Sequence, residues 1–211
     1  MRSWFRMTIV VAALAAGVLA TVLIARGGGQ GASASAETPA APKPVPPSIQ
    51  GPRTRIGDLV YNLTNMQLLD VDNPSDAPYL VNLNAPAKGT AYLGVFVRVY
   101  NLSDKPLPSA SGYLLEPEGN PVLVEQTMPA ESPYIMPAGA TVPAGGVLPV
   151  PGTTAAAGKI PGGLLLFPVD KAVTSNQPLN IVIHTAEGKL AQLPLPKLPK
   201  LTGYAGHNNH D

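Results

Sequence analysis

The chain has 211 residues with no cysteine, 25 prolines and 21 glycines, and its 14 basic residues almost balance 13 acidic ones. The missing cysteine excludes disulfides, thiolate catalysis, Cys-ligated zinc or iron and acylation of an N-terminal cysteine. Without a basic stripe to neutralise phosphates, nucleic acid is not an expected partner.

The first element in chain order is "MRSWFRMTIVVAALAAGVLATVLIARGGG". Residues 7–25 lie between Arg6 and Arg26 and carry no charge. At about 1.5 Å per residue such a helix spans about 28 Å, close to a hydrocarbon core of about 30 Å. Secretory h-regions are usually about 7 to 15 residues, and the small-x-small cleavage site Ala34-Ser35-Ala36 falls well past the run. The lengths therefore favour an uncleaved transmembrane anchor over a cleaved leader, which would give a secreted form. Arg2 and Arg6 before the run outnumber Arg26 after it, which puts residues 1–6 in the cytoplasm and the rest of the chain outside. Ala13 and Gly17, and Ala16 and Ala20, stand four apart, a spacing that lets spans pack closely but is frequent in alanine-rich helices.

Residues 26–54 change to glycine and serine, then to proline, a flexible segment followed by one of extended polyproline geometry. This predicts a stalk. From 55 to 201 the pattern is one of strands, expected near 58–70, 91–101, 111–116, 121–127, 145–150, 163–169, 179–185 and 189–195. The turn-forming stretches "DNPSD", "NLSDKP", "EPEGNP", "MPAGATVPAGG" and "AEGK" separate them. Proline and glycine at this density break helix interiors and supply turns. The expected architecture is all-β, an immunoglobulin-like two-sheet β-sandwich preceded by one N-terminal transmembrane helix and followed by a flexible tail at 202–211. A domain of this size buries about two thirds of its extended-chain surface and can fold without crosslinks.

The stretch "AYLGVFVRVYN" at 91–101 alternates strictly. Ala91, Leu93, Val95, Val97 and Val99 share one face, and Tyr92, Phe96, Arg98 and Tyr100 share the other. The β-branched face is the natural core. The second face is the candidate interaction surface, because aromatic and arginine side chains dominate interface hot spots. The competing expectation is that long turns cover these rings or that they pack across strands.

Taken together, "IGDLVYNLTNMQLLD", "LGVFVRVYNLSDKP", "YLLEPEGNPVL", "GGLLLFPVD" and "QPLNIVIHTAEGK" resemble, over about residues 55–196, an extracytoplasmic immunoglobulin-like domain of unknown function. That domain occurs in bacterial lipoproteins and membrane-anchored envelope proteins. Its members are usually held by a lipidated cysteine, and in this chain the apolar run would take over that role. The resemblance implies a non-enzymatic binding or protection module and brings no shared active site, so no functional residue is carried over. "TAYLGVFVRVYN" and "VPAGG" are also similar to periplasmic copper chaperones, which hold Cu(I) with Met and His. The matching soft ligands here would be Met128, Met136 and His184, but the paired His-x-Met arrangement is missing.

"DVDNPSD" sets Asp70, Asp72, Asn73 and Asp76 within seven residues, which are oxygen ligands of the kind calcium takes. The sixth-position glycine and distal glutamate of a helix-loop-helix site are missing, and Asx turns account for the same residues. His184, His207 and His210 are the available imidazole bases, with no Gly-x-Ser-x-Gly elbow to serve. Glu116, Glu118, Glu125 and Glu131 could supply a carboxylate pair for glycoside hydrolysis, but flanking a hairpin they read as surface residues. The sequons at Asn62 and Asn101 read as chance in a bacterial protein. The sequence thus predicts a non-enzymatic module of the cell envelope without a cofactor. Its partners would be the membrane, through residues 7–25, and an envelope protein or wall polymer. Metal handling with copper or calcium is the alternative.

Overall fold

The computed structural model describes residues 49–117, 123–126, 128–129, 131–170 and 178–198, all within the unit Lys43–Asp211. In chain order the strands are β1 (Arg53–Ile56), β2 (Leu59–Leu69), β3 (Thr90–Asn101), β4 (Leu107–Pro108), β5 (Gly112–Pro117), β6 (Leu123–Val124), β7 (Thr141–Val142), β8 (Val147–Leu148), β9 (Gly163–Asp170), β10 (Leu179–His184) and β11 (Leu190–Leu195). A 3-10 turn at Ala77–Tyr79 and the short helix α1 (Thr154–Ala157) are the helical elements among these residues. No helix among them is long and apolar enough to cross a membrane. The apolar run 7–25, most of the stalk and the tail lie outside the described residues.

Each expected strand in the body has a counterpart. The additions are β1, β4 and β7, which are two to four residues long. Segments that short cannot show alternation, and they pair only because the larger sheets bring their partners alongside. β1 begins inside the expected stalk, at Arg53.

The pairings between strands are antiparallel and make two sheets and a ribbon. Sheet I runs β1-β2-β3, with β9 along Thr90–Val97 and β8 along Val99–Tyr100 on the far edge of β3. Sheet II runs β11-β10-β5-β6, and β4 pairs with β7 in the ribbon. One buried core holds the inner faces together, with Tyr61, Leu93, Val95, Val97, Leu165 and Phe167 from sheet I and Tyr113, Leu115, Ile181, Ile183 and Leu193 from sheet II. The molecule is a β-sandwich, closed along one side where β1 meets β11 and along the other where β6 meets β9.

β2 shows how sequence phase becomes geometry. Its inward residues are Leu59, Tyr61 and Leu63, then Met66 and Leu68, so the alternation slips by one. The slip is a β-bulge: Leu63 pairs with Val97 and Asn65 with Phe96, leaving Thr64 as the extra residue. A bulge inserts one unpaired residue and reverses the facing of all that follow. The Thr64 hydroxyl donates to the Phe96 carbonyl at 3.0 Å, which holds the bulge in place. As a result Leu69 emerges on the outer face of the sheet.

Both sequon asparagines are buried and structural. Asn62 Nδ2 donates to the carbonyls of Gln50 (2.8 Å) and Pro52 (3.2 Å), and the Leu63 amide donates to Pro52 O (2.9 Å), so the segment 50–52 ahead of β1 is tied to β2. Asn101 Nδ2 donates to Lys105 O and Val142 O while its Oδ1 accepts from the Ser103 amide and hydroxyl, which fixes the turn after β3.

Candidate functional site

The odd-numbered face of β3 is core, as its β-branched residues predict. The even-numbered face is not an exposed aromatic row. Phe96 is fully buried and Tyr92 almost so, both within a second apolar cluster on the outer side of sheet I. The cover comes from the β2–β3 connection, with Val71, Tyr79, Leu80 and Leu83, and from the region between β6 and β9, with Met128, Tyr134, Ile135 and Ile160. The Tyr79 ring meets Phe96 edge-on at 5.2 Å and stacks at a tilt on Tyr134 at 4.6 Å. Tyr92 donates its hydroxyl to Asn84 O at 3.1 Å. Arg98, half-buried, reaches Ala156 O at 3.4 Å, and Tyr100 is half-buried beside β8. Of the four candidates, then, two are buried and the other two lie at the margin of the cover. Strand alternation places a side chain on a face but says nothing of what a connection twenty residues away lays over it.

The acidic loop is a self-contained turn. Asp76 is buried, and its carboxylate accepts from the Asp70 amide (3.2 Å), Asn73 Nδ2 (2.9 Å) and Gln67 Nε2 (3.3 Å). Asp70 Oδ1 accepts from the Asp72 amide and Asn73 Oδ1 from the Ser75 amide, both at 3.0 Å. These are Asx turns in which side-chain oxygens stand in for backbone acceptors. Among the described residues no three His, Cys, Asp or Glu side chains converge as a metal cluster would require. The soft ligands do not gather either: Met136 packs in the inner core against Gly163, Met128 in the outer cluster, and His184 ends β10. His207 and His210 lie outside the described residues.

The glutamates point apart. Glu116 accepts from Gln192 Nε2 at 2.9 Å on the outside of sheet II, and Glu131 is exposed. Glu118 lies outside the described residues. Glu125 departs from the surface reading, because it is half-buried and burial raises its pKa to about 7. The residue pattern could not show this, since β6 is too short to display its phase.

Sequence reasoning also missed the outer face of sheet II. The register brings Val124, Leu114, Val182 and Gln192 into one row across the four strands. The flanking rows are Glu116, Asn180 and Pro194 on one side and Gly112, His184 and Leu190 on the other. Val124 is 70% exposed and Leu190 62% exposed, and Leu114 and Val182 belong to neither buried cluster. Alternation in "LNIVIH" and "GYLLEP" predicts two faces for each strand but not that both outward faces carry a central apolar residue at matching register. Two open clefts of about 290 and 220 Å³ lie elsewhere. The first is formed by residues 68–72 and 85–91, the second by the turns around Gly57, Pro108 and Glu187.

No family model and no curated protein matches the chain. Solved structures with partial likeness are bacterial proteins of low identity. A "putative lipoprotein (ycdA)" of Bacillus subtilis is 14% identical with a TM-score of 0.46, and the likeness covers 70% of this chain but 39% of that one. An uncharacterised β-sandwich protein of Clostridium difficile is 11% identical with a TM-score of 0.40, over 70% and 92% of the two chains. A functionally unknown protein of Listeria monocytogenes is 14% identical with a TM-score of 0.42, over 72% and 84%. The sandwich itself is established by the strand pairings and shared core described above.

Proposed function

We propose that this chain is an extracytoplasmic, immunoglobulin-like binding module of a bacterial envelope, anchored through residues 7–25, and that it acts by docking another protein and not by catalysis. The observation that carries the reading is the outer face of sheet II, on which no described segment is packed, with the apolar row Val124–Leu114–Val182 at its centre, Val124 exposed and the other two half-buried. A face of this kind suits a protein surface, since interface cores are depleted in charge and rich in apolar contact. It suits wall polymer poorly. Among the described residues the exposed large apolar side chains are Val81, Val124, Val150 and Leu190, and none of them gives a sugar an aromatic ring to stack on. The anchor is supported by the length and charge asymmetry of the N-terminal run. The tie between Asn62 and the stalk end at Gln50–Pro52 supports a domain held at a defined exit from that stalk.

The test uses the full chain in a bacterial host. Protease added outside osmotically opened cells should digest the body while the protein stays in the membrane fraction. A photo-crosslinking residue at position 124 or 190 should then capture a discrete protein, and the same residue at Val150, exposed but away from this face, should not. Recovery in the cytosol, or capture that does not depend on position, overturns the reading.

A further inference from the structure

Glu125 follows directly on β6, where Leu123 pairs with Leu115 and Val124 with Leu114. Continuing that register by one residue sets Glu125 opposite Tyr113, on the same inward side as Leu115 and Leu123. The next residue belongs to the other sheet: the Gln126 amide donates to Leu166 O on β9 at 2.6 Å. Residues 123–126 therefore pass from the edge of sheet II to the edge of sheet I and close that side of the sandwich, with a carboxyl group turned into the seam.

One phenol faces the carboxyl and a second stands behind the first. Tyr113 faces it from β5, and Tyr61 on β2 meets Tyr113 edge-on with ring centroids 6.5 Å apart. Both hydroxyls are buried and lack a hydrogen bond of normal geometry, the nearest relief for Tyr61 being the Ala110 backbone. β9 presents Leu165 and Phe167 to the same interior. Burial pushes Tyr61 up to about 12, and it pushes Tyr113 well above its ordinary value with help from the Tyr61 and Glu125 charges. Both phenols are thus uncharged across the physiological range. For Glu125 burial is the cause of its rise, with no cation among the described residues holding the ionised form in place.

We propose that Leu123–Gln126 is a pH-sensitive latch on the sandwich, closed while the Glu125 carboxyl is protonated and loosened when it ionises. A neutral carboxyl can lie against the Tyr113 ring and the apolar seam, and a carboxylate that no described cation pairs draws toward water and takes the strap with it. Because the folded-state pKa lies above the ordinary value of 4.5, the folded protein holds this proton more tightly than the unfolded chain. The associated stability is fully present below about pH 4.5 and is lost as the pH rises through about 7.

The experiment compares the full chain in detergent with its Glu125→Gln variant. Between pH 5 and pH 8 the melting temperature of the parent should fall by about 5 °C more than that of the variant. Amide exchange at Gln126, corrected for the intrinsic rate, should accelerate more than tenfold over the same interval while Leu165 and Phe167 hold. Equal pH dependence in parent and variant, or uniform acceleration across β9, overturns the latch. Should the variant not fold, the carboxyl carbon resonance of Glu125 in the parent decides: a midpoint near 7 shared by the Gln126 amide supports it, and one below 5 refutes it.

Discussion

The two sheets are alike inside and opposite outside. Each alternates an inward apolar row with an outward one, yet sheet I carries Phe96, Tyr92, Leu164 and Leu166 outward beneath a second cluster, while sheet II carries Leu114, Val182 and Val124 outward with no described segment packed on them. The difference follows from the connections. Between β2 and β3 the chain spends about twenty residues, and between β6 and β9 about forty, and both connections send side chains, among them Tyr79, Leu80, Met128 and Ile160, over the outer face of sheet I. β10 and β11 are joined by a tight turn with Gly188 at φ 76°, a conformation that favours glycine and leaves no chain to spare as a cover. Long connections are thus what turns one sheet face into core, and the tight β10–β11 hairpin lends the other no cover.

The largest test of that contrast is Phe96→Ala. With the ring fully buried under Tyr79, its removal should cost about 3 to 5 kcal/mol, read from the midpoint of chemical denaturation. Tyr92→Ser should follow at more than about 2 kcal/mol, since it loses both the buried ring and the bond to Asn84 O. Tyr100→Ser, half-buried at the margin, should cost less than either. If the three changes cost alike, the cover over sheet I is not what the packing describes.

Gly94 sharpens the same point from the backbone. A Cβ there would come within 2.7 Å of Leu69 Cδ1 and 3.3 Å of Leu164 Cδ1, so the missing side chain is what lets two leucines lie across the sheet. Gly94→Ala should destabilise by about 1 to 3 kcal/mol in the same assay, toward the lower end because a leucine tip can give way. Asp76→Ala is comparable, about 1 to 3 kcal/mol, since it strands the Asp70 amide and the Asn73 and Gln67 amides that anchor the loop. If millimolar calcium raises the melting temperature of the parent but not of this variant, the loop is a metal site after all.

What the sequence made legible was whatever depends on near neighbours. The odd face of β3 as core, the strands of the body and the Asx-turn character of "DNPSD" all follow from alternation and turn chemistry within a dozen residues. The burial of Phe96 does not, because Tyr79 reaches it from seventeen positions away and is itself stacked on Tyr134, thirty-eight positions beyond Phe96, and no period in the chain announces such a meeting. Glu125 was misread as surface for a related reason: its facing is set by pairing with β5, and a two-residue strand carries no phase of its own. The outward apolar row on sheet II needed three registers at once, β6 to β5, β5 to β10 and β10 to β11, which only the assembled sheet supplies.

The smallest expected effect on stability is therefore the most informative about use. Val124→Ser and Leu190→Ser remove side chains that are mostly in water already, so each should leave the unfolding midpoint within about 0.5 kcal/mol of the parent. Replacing an apolar group at the centre of a docking surface has a different consequence, because there it is desolvated only in the complex. Val124→Ser should accordingly weaken capture by a crosslinker at position 190 several-fold while the fold is unchanged. Phe96→Ala, measured under conditions where it remains folded, should leave that capture intact. If instead capture follows stability across both faces, the open sheet is only an uncovered surface, and the contrast between the two sides is one of packing without a partner.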